Sequence, residues 1–266
     1  MPFYWKKDIR EQAADTLLLL EDCHYHWLLQ DEPRRDLALI LKAYPHIAWY
    51  ITHKIPELKD RVTLFLRTVE NESLPSDMDA LLGDFMESIE DWIIYVTTPE
   101  DYHRQPFNGW DEKELTELTD YRGKTVIDIG SGTGKQAFAV APLAKTVWCV
   151  EPVWNLRRSL KKRAEDEGRD NIFVVDGMLP QLPFPTDFAD VTTSGHVIGD
   201  DIVREVAETE RITKSGGTVI FCHGNIDADN ATHRFLMEAG YNWSSFLEPG
   251  DSFGGGMKRK YWKIMP

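Results

Sequence analysis

The chain has 266 residues, 42 % hydrophobic and 28 % charged, the balance of a soluble globular protein. No run of about 18 apolar residues could cross a bilayer as a helix; the best stretch, Leu37 to Tyr50, is interrupted by Lys42, Pro45 and His46. The net charge of −14 is lopsided, with 12 basic and 25 acidic side chains in residues 1–120 against 18 and 19 in residues 121–266. That acidity disfavours a nucleic-acid backbone as partner.

Residues 1–110 read as an all-helical domain. Lys6 and Lys7 are not followed by an apolar stretch with a small-residue cleavage site, and Cys23, Cys149 and Cys222 make no disulfide framework, so a cytoplasmic protein is expected. Asp8 to Gln30 predicts one helix with Leu17, Leu20, His24, Trp27 and Leu28 on its apolar face. Cys23, His24 and His26 do not converge as metal ligands four apart would, so they read as packing or capping groups. Pro33 suits the first turn of a second helix, which Pro45 ends or kinks. His46 to Lys54 continues helically, with Trp49, Tyr50 and His53 expected in the core. Pro56 opens a segment with Leu58, Val62, Phe65, Leu66 and Val69 on one face. Ser76 or Asp77 can cap a helix running to about Tyr95. Thr97–Gly109, with Pro99, Pro106 and Gly109, reads as a linker carrying Tyr102, His103 and Phe107, with Trp110 next. Asp111 caps a short acidic helix to about Asp120.

From Lys124 short apolar strands alternate with helices, the pattern of a parallel sheet with crossovers. Strands are predicted at Thr125–Ile129, Thr146–Val150, Ile172–Val175, Ala189–Thr193 and Thr218–Cys222. Helices fall at Lys135–Leu143, Asn155–Glu167, Asp200–Thr213, capped by Asp200, and Asn230–Glu238. Lys161, Lys162 and Arg163 read as a solvated helix face. Two last β-like segments, Asn242–Leu247 and Lys258–Ile264, flank a Gly254–Gly256 turn and suit a closing hairpin.

The first of these strands empties into Asp128-Ile129-Gly130-Ser131-Gly132-Thr133-Gly134. Alternate glycines allow a sharp turn and a close ligand approach, and the N–H groups of the next helix face the same place. A dinucleotide fingerprint, G-x-G-x-x-G, needs a glycine where Lys135 stands. Asp128 would also repel a pyrophosphate while suiting a cationic amino group. Acids end the next two strands, Glu151 and Asp176, and ligands of open α/β sheets sit beyond the strands' carboxyl ends. Glu151 lies 21 positions past Gly130, the reach at which an acid can hold ribose hydroxyls.

This arrangement, with Gly177-Met178 and Leu182-Pro183-Phe184-Pro185, resembles motifs I to III of the class I S-adenosylmethionine (SAM) methyltransferases. The resemblance covers about residues 110–266. It implies a seven-stranded, doubly wound, mostly parallel sheet at 111–266, joined to a helical, substrate-selecting cap at 1–110. By it, Gly130, Ser131, Gly132 and Gly134 line the methionine part of SAM, with Asp128 near its amino end. Glu151 would hold the ribose, and Asp176, Gly177 and Met178 would frame the adenine. Thr193-Ser194-Gly195-His196-Val197-Ile198-Gly199-Asp200 then follows the fourth strand beside the methyl group. Ser194 is expected to line the cofactor, and His196 is the candidate base or substrate-orienting group. His223, after the fifth strand, is a further polar candidate.

The expected activity is in-line methyl transfer from SAM to a small molecule, leaving S-adenosylhomocysteine, with no membrane or nucleic-acid partner. The Asn/Asp-Pro-Pro-Tyr motif of amino-group methylation is absent after the fourth strand. Two rivals are a non-catalytic SAM-binding interaction protein and an NAD-dependent oxidoreductase. Lys135 and Asp176 count against the second.

Overall fold

Prolines set two of the helix breaks in the first hundred residues. The computed structural model describes residues 9–250 and 256–266. The chain divides into a helical unit ending at Tyr102 and a sheet unit from His103 to Pro266. In the helical unit, α1 (Asp22–Gln30) is followed by α2 (Arg35–Ala43), α3 (Pro45–Lys54) and α4 (Lys59–Thr68). Tyr44 and Ile55 both precede a proline and both leave the α region, as the clash with the proline ring requires. Pro45 therefore starts α3, and Pro56 starts a 3-10 turn, Pro56–Leu58.

Two predicted long helices are each divided. Asp8 to Gln30 resolves, from residue 9, into 3-10 turns Ile9–Glu11 and Ala14–Leu19 and then α1. Leu20 and Glu21 are extended, and Glu21 opens α1 through a reciprocal cap in which its backbone N–H donates to His24 Nδ1 at 3.1 Å. The helix expected to reach Tyr95 becomes α5 (Met78–Ser88), capped by Asp77, and α6 (Glu90–Thr97). The bend at buried Ile89 keeps Phe85 and Met86 of α5 and Ile93 of α6 in one core with Tyr25, Leu29, Leu39 and Phe65. α3 buries Ile47, Ala48 and Ile51, so Trp49 and His53 lie on its outer face, stacked at 3.9 Å. Those two are not core residues, whereas Tyr50 packs partly against the core.

The predicted linker holds two short turns, α7 (Pro99–His103) and the 3-10 turn Pro106–Gly109, and the acidic helix reduces to α8 (Lys113–Thr116). Residues 103–110 go with the sheet unit, where Trp110 is buried 6.2 Å from the Phe246 ring.

The sheet comprises β1 (Thr125–Ile129), β2 (Thr146–Val150), β3 (Ile172–Val175), β4 (Ala189–Ser194), β5 (Thr213–Ile226), β6 (Asn242–Glu248) and β7 (Gly256–Ile264). Its order is β3-β2-β1-β4-β5-β7-β6, with β1 to β5 parallel and β7 antiparallel to both its neighbours. Crossovers run through α9 (Lys135–Val140), α10 (Trp154–Asp166), α11 (Ile202–Ile212) and α12 (Ala231–Glu238). β1 reads as an apolar run because both of its faces are covered. Val126 joins Phe138, Val147 and Leu160 on one side; Ile127 and Ile129 join Val150, Leu182 and Ala189 on the other. β1 lies between β2 and β4, so the strand order reverses there and leaves a crevice beyond the carboxyl ends of β1 and β4. Among the described residues no helix is long and apolar enough to cross a membrane. Gly254 and Gly255 of the predicted final turn lie outside the described residues, as does the side chain of His223.

Candidate active site

The glycine loop is built by left-handed backbone. Gly130, Gly132 and Gly134 have φ of 65°, 53° and 89°, values a β-carbon disfavours. At Gly130 a β-carbon would also run into Val197, from the loop after β4. That near-contact brings the two loops of the β1/β4 crevice together. The loop is tied down from within: Ser131 Oγ donates to the Asp128 carbonyl at 2.7 Å, and the Gly130 and Ser131 N–H groups donate to the Val150 carbonyl.

Two buried carboxylates sit beneath this loop. Asp128 Oδ2 accepts from the Ala137 N–H at 3.1 Å. Burial, reinforced by the nearby Glu151 charge, pushes its carboxyl up to about 7. Glu151 Oε2 accepts from the Gly132 N–H at 2.8 Å and Oε1 from the Val153 N–H at 2.9 Å. A carboxylate presents two acceptor oxygens side by side, the pattern that suits a vicinal diol. The third strand-end acid differs. Asp176 is exposed and meets Arg157 at 3.1 Å, while Arg157 also holds the carbonyls of Glu151 and Pro152. The ends of β2 and β3 are thereby joined through one guanidinium, a role no sequence pattern announced. A β-carbon at Gly177 would lie 2.8 Å from both Val150 and Pro183, so only glycine lets this loop lie flat on β2. Met178 next to it is exposed.

Across the crevice, Ser194 ends β4 buried, opposite Ile129 in the sheet register. His196 follows in left-handed backbone, φ 59°, rare for a residue with a β-carbon. Its Nε2 lies 2.9 Å from Glu248 Oε2 at the end of β6, and the Phe107 ring stands edge-on 6.1 Å away. Sequence reasoning missed Glu248: an acid closing an edge strand looks like a surface residue until the fold brings residue 196 beside it. Helix α11 is capped by Asp201, whose side chain accepts from the Arg204 N–H, not by Asp200. The cap thus lies one residue later than predicted.

The donor set fits the ligand implied by the resemblance. Acids beside a flat, glycine-lined loop suit a molecule carrying cationic centres and a ribose diol, and they disfavour a pyrophosphate.

Comparisons with known proteins give a family and a fold likeness. A methyltransferase-domain family model matches residues 127–221, from within β1 into β5. An uncharacterized methyltransferase of Geobacillus thermodenitrificans is 29 % identical over 146 residues, 52 % of this chain and 66 % of that protein, just under two thirds of its length. A demethylmenaquinone methyltransferase of Halalkalibacterium halodurans is 26 % identical over 121 residues, 44 % of this chain and 49 % of its own. Among solved structures, a chain from a Haloferax volcanii complex between a methyltransferase activator and a methyltransferase superposes with a TM-score of 0.51. It is 15 % identical and covers 63 % of this chain and 92 % of that one, a likeness of fold.

Proposed function

We propose that the chain is a class I SAM-dependent methyltransferase, a cytoplasmic enzyme methylating a small molecule. The observation that carries the cofactor reading is the meeting of Asp128, Glu151 and the glycine loop at the point where the strand order reverses. Gly130, Ser131, Gly132, Gly134 and Ser194 would line the methionine part, with Asp128 toward its ammonium. Glu151 would hold the ribose, and Asp176, Gly177 and Met178 would edge the adenine. When bound, SAM supplies an activated methyl group on a sulfonium with a neutral leaving group. What remains for the protein is to align the acceptor, exclude water and, where the nucleophile starts protonated, remove a proton. His196, two residues past β4, is assigned that last task.

Support for a small acceptor comes from the related demethylmenaquinone methyltransferase, named for such a substrate, and from the excess of acidic residues. Titration calorimetry of the cofactor-stripped protein with S-adenosylhomocysteine, SAM and NADH tests the cofactor. Binding of the first two without the third is expected. NADH binding alone would overturn the reading.

A further inference from the structure

The side chain of Arg157, on α10, is only 13 % exposed, whereas the Asp176 carboxylate it meets is 72 % exposed. Taking a guanidinium out of water is costly unless its hydrogen bonds are met. Here Nη1 donates to the Glu151 carbonyl at 2.8 Å and to the Pro152 carbonyl at 2.5 Å. The head group is therefore a fixed post at the end of β2. From it, Nη1 also reaches Asp176 Oδ1 at 3.1 Å. An ion pair so open to solvent adds little to stability, so its consequence lies in where it holds the carboxylate. Val150 and Val175 are partners in the register of β2 and β3, which sets Glu151 and Asp176, the next residue of each strand, side by side. Among the described residues Asp176 Oδ2 accepts from no donor, and Met178, two residues on, is exposed.

Resting on the cofactor reading, we propose that Arg157 is a positioning residue for Asp176 and thereby sets the base specificity of the site. The ligand taken is a nucleoside whose purine carries an amino group at position 6, and its 6-oxo counterpart is rejected. A carboxylate offers acceptors and no donor. An amino group can donate to Oδ2, while a carbonyl at the same place meets oxygen with oxygen. Without the ion pair, each ligand would have to order the Asp176 side chain as it bound. Arg157 orders it beforehand, which lowers the entropy lost on binding. The two carbonyls held by the same guanidinium belong to the turn that carries Glu151, so the ribose acceptor and the base acceptor keep a constant separation.

The test is titration calorimetry of the full-length, cofactor-stripped protein with S-adenosylhomocysteine and S-inosylhomocysteine, which carry an amino group and an oxygen at position 6. The wild type should prefer the first by about tenfold or more, the range of a hydrogen bond to a charged group. Arg157→Met should weaken S-adenosylhomocysteine about tenfold and S-inosylhomocysteine less than about twofold. Asp176→Ala should remove the same preference, and adding Arg157→Met to it should weaken binding no further, as expected of residues that act as a pair. Should Arg157→Met fail to fold, judged by circular dichroism, Arg157→Lys stands in. It keeps the charge without the planar fork, and the same selective loss is expected at about threefold. Equal losses for the two ligands would make Arg157 a purely structural residue and overturn the proposal. So would an Arg157 effect that persists in Asp176→Ala, or a wild type that binds both ligands alike. Failure of the cofactor reading shows separately, as a wild type that binds neither.

Discussion

Asp128 carries an electrostatic tension that can be measured directly. Its carboxyl, raised by burial to about 7, is largely neutral at pH 6 and largely ionised at pH 8. An ionised Asp128 holds an ammonium better, so SAM affinity should rise over that interval and the rise should vanish in Asp128→Asn. Calorimetry at the two pH values checks this. Stability runs the other way. The folded protein keeps a proton that the unfolded chain has lost by about pH 4, so this residue's contribution falls as pH rises from about 4 to 7. Thermal unfolding of Asp128→Asn should lack that part of the decline. Glu151 makes a separate prediction. Glu151→Ala should weaken SAM binding by about 1.5–3 kcal/mol, the worth of a charged hydrogen bond. An unchanged affinity would remove the ribose assignment.

Helix α1 shows the same physics acting on an element. His24 is buried against the Trp27 and Trp92 rings, and burial, with the Lys54 charge nearby, lowers its titration to about 4. The unfolded chain protonates near its ordinary value of 6.5, so the helix cap loses stability as pH falls from about 6.5 to 4. His24→Gln retains an acceptor for the Glu21 N–H without a titrating group. Comparing melting temperatures of the variant and wild type at pH 7 and 4.5 should show the smaller acid-induced drop in His24→Gln. How legible each element was follows from what ends it. β1, β2 and β3 begin and end where predicted, because each is an apolar run bounded by polar, glycine or acidic residues. The breaks at Leu20 and Ile89 were not legible: neither has a proline or glycine, and tertiary packing decides them. Among the site residues, the glycine loop and Glu151 announce themselves by local spacing. Glu248 cannot, because its partner lies 52 residues away in sequence.

On the scale of the whole molecule, every candidate cofactor residue and the His196–Glu248 pair fall within the unit that starts at His103. A fragment beginning at Thr98 should therefore fold and bind S-adenosylhomocysteine within a few-fold of the full chain. What it should lose is discrimination among acceptors, if the acidic helical unit selects them. Circular dichroism and calorimetry on the fragment check the first expectation, and an acceptor panel checks the second.

The strand order also imposes a schedule. β6 finds its sheet neighbour only in β7, which follows it in the chain yet lies between it and β5. While the chain is still emerging from a ribosome, β1 to β5 can pair in turn, but Glu248 has no sheet on which to be placed. The cofactor crevice can thus form before the His196 pair, which waits for β7 to slot in. A nascent protein would pass through a stage at which the crevice stands without the His196–Glu248 contact.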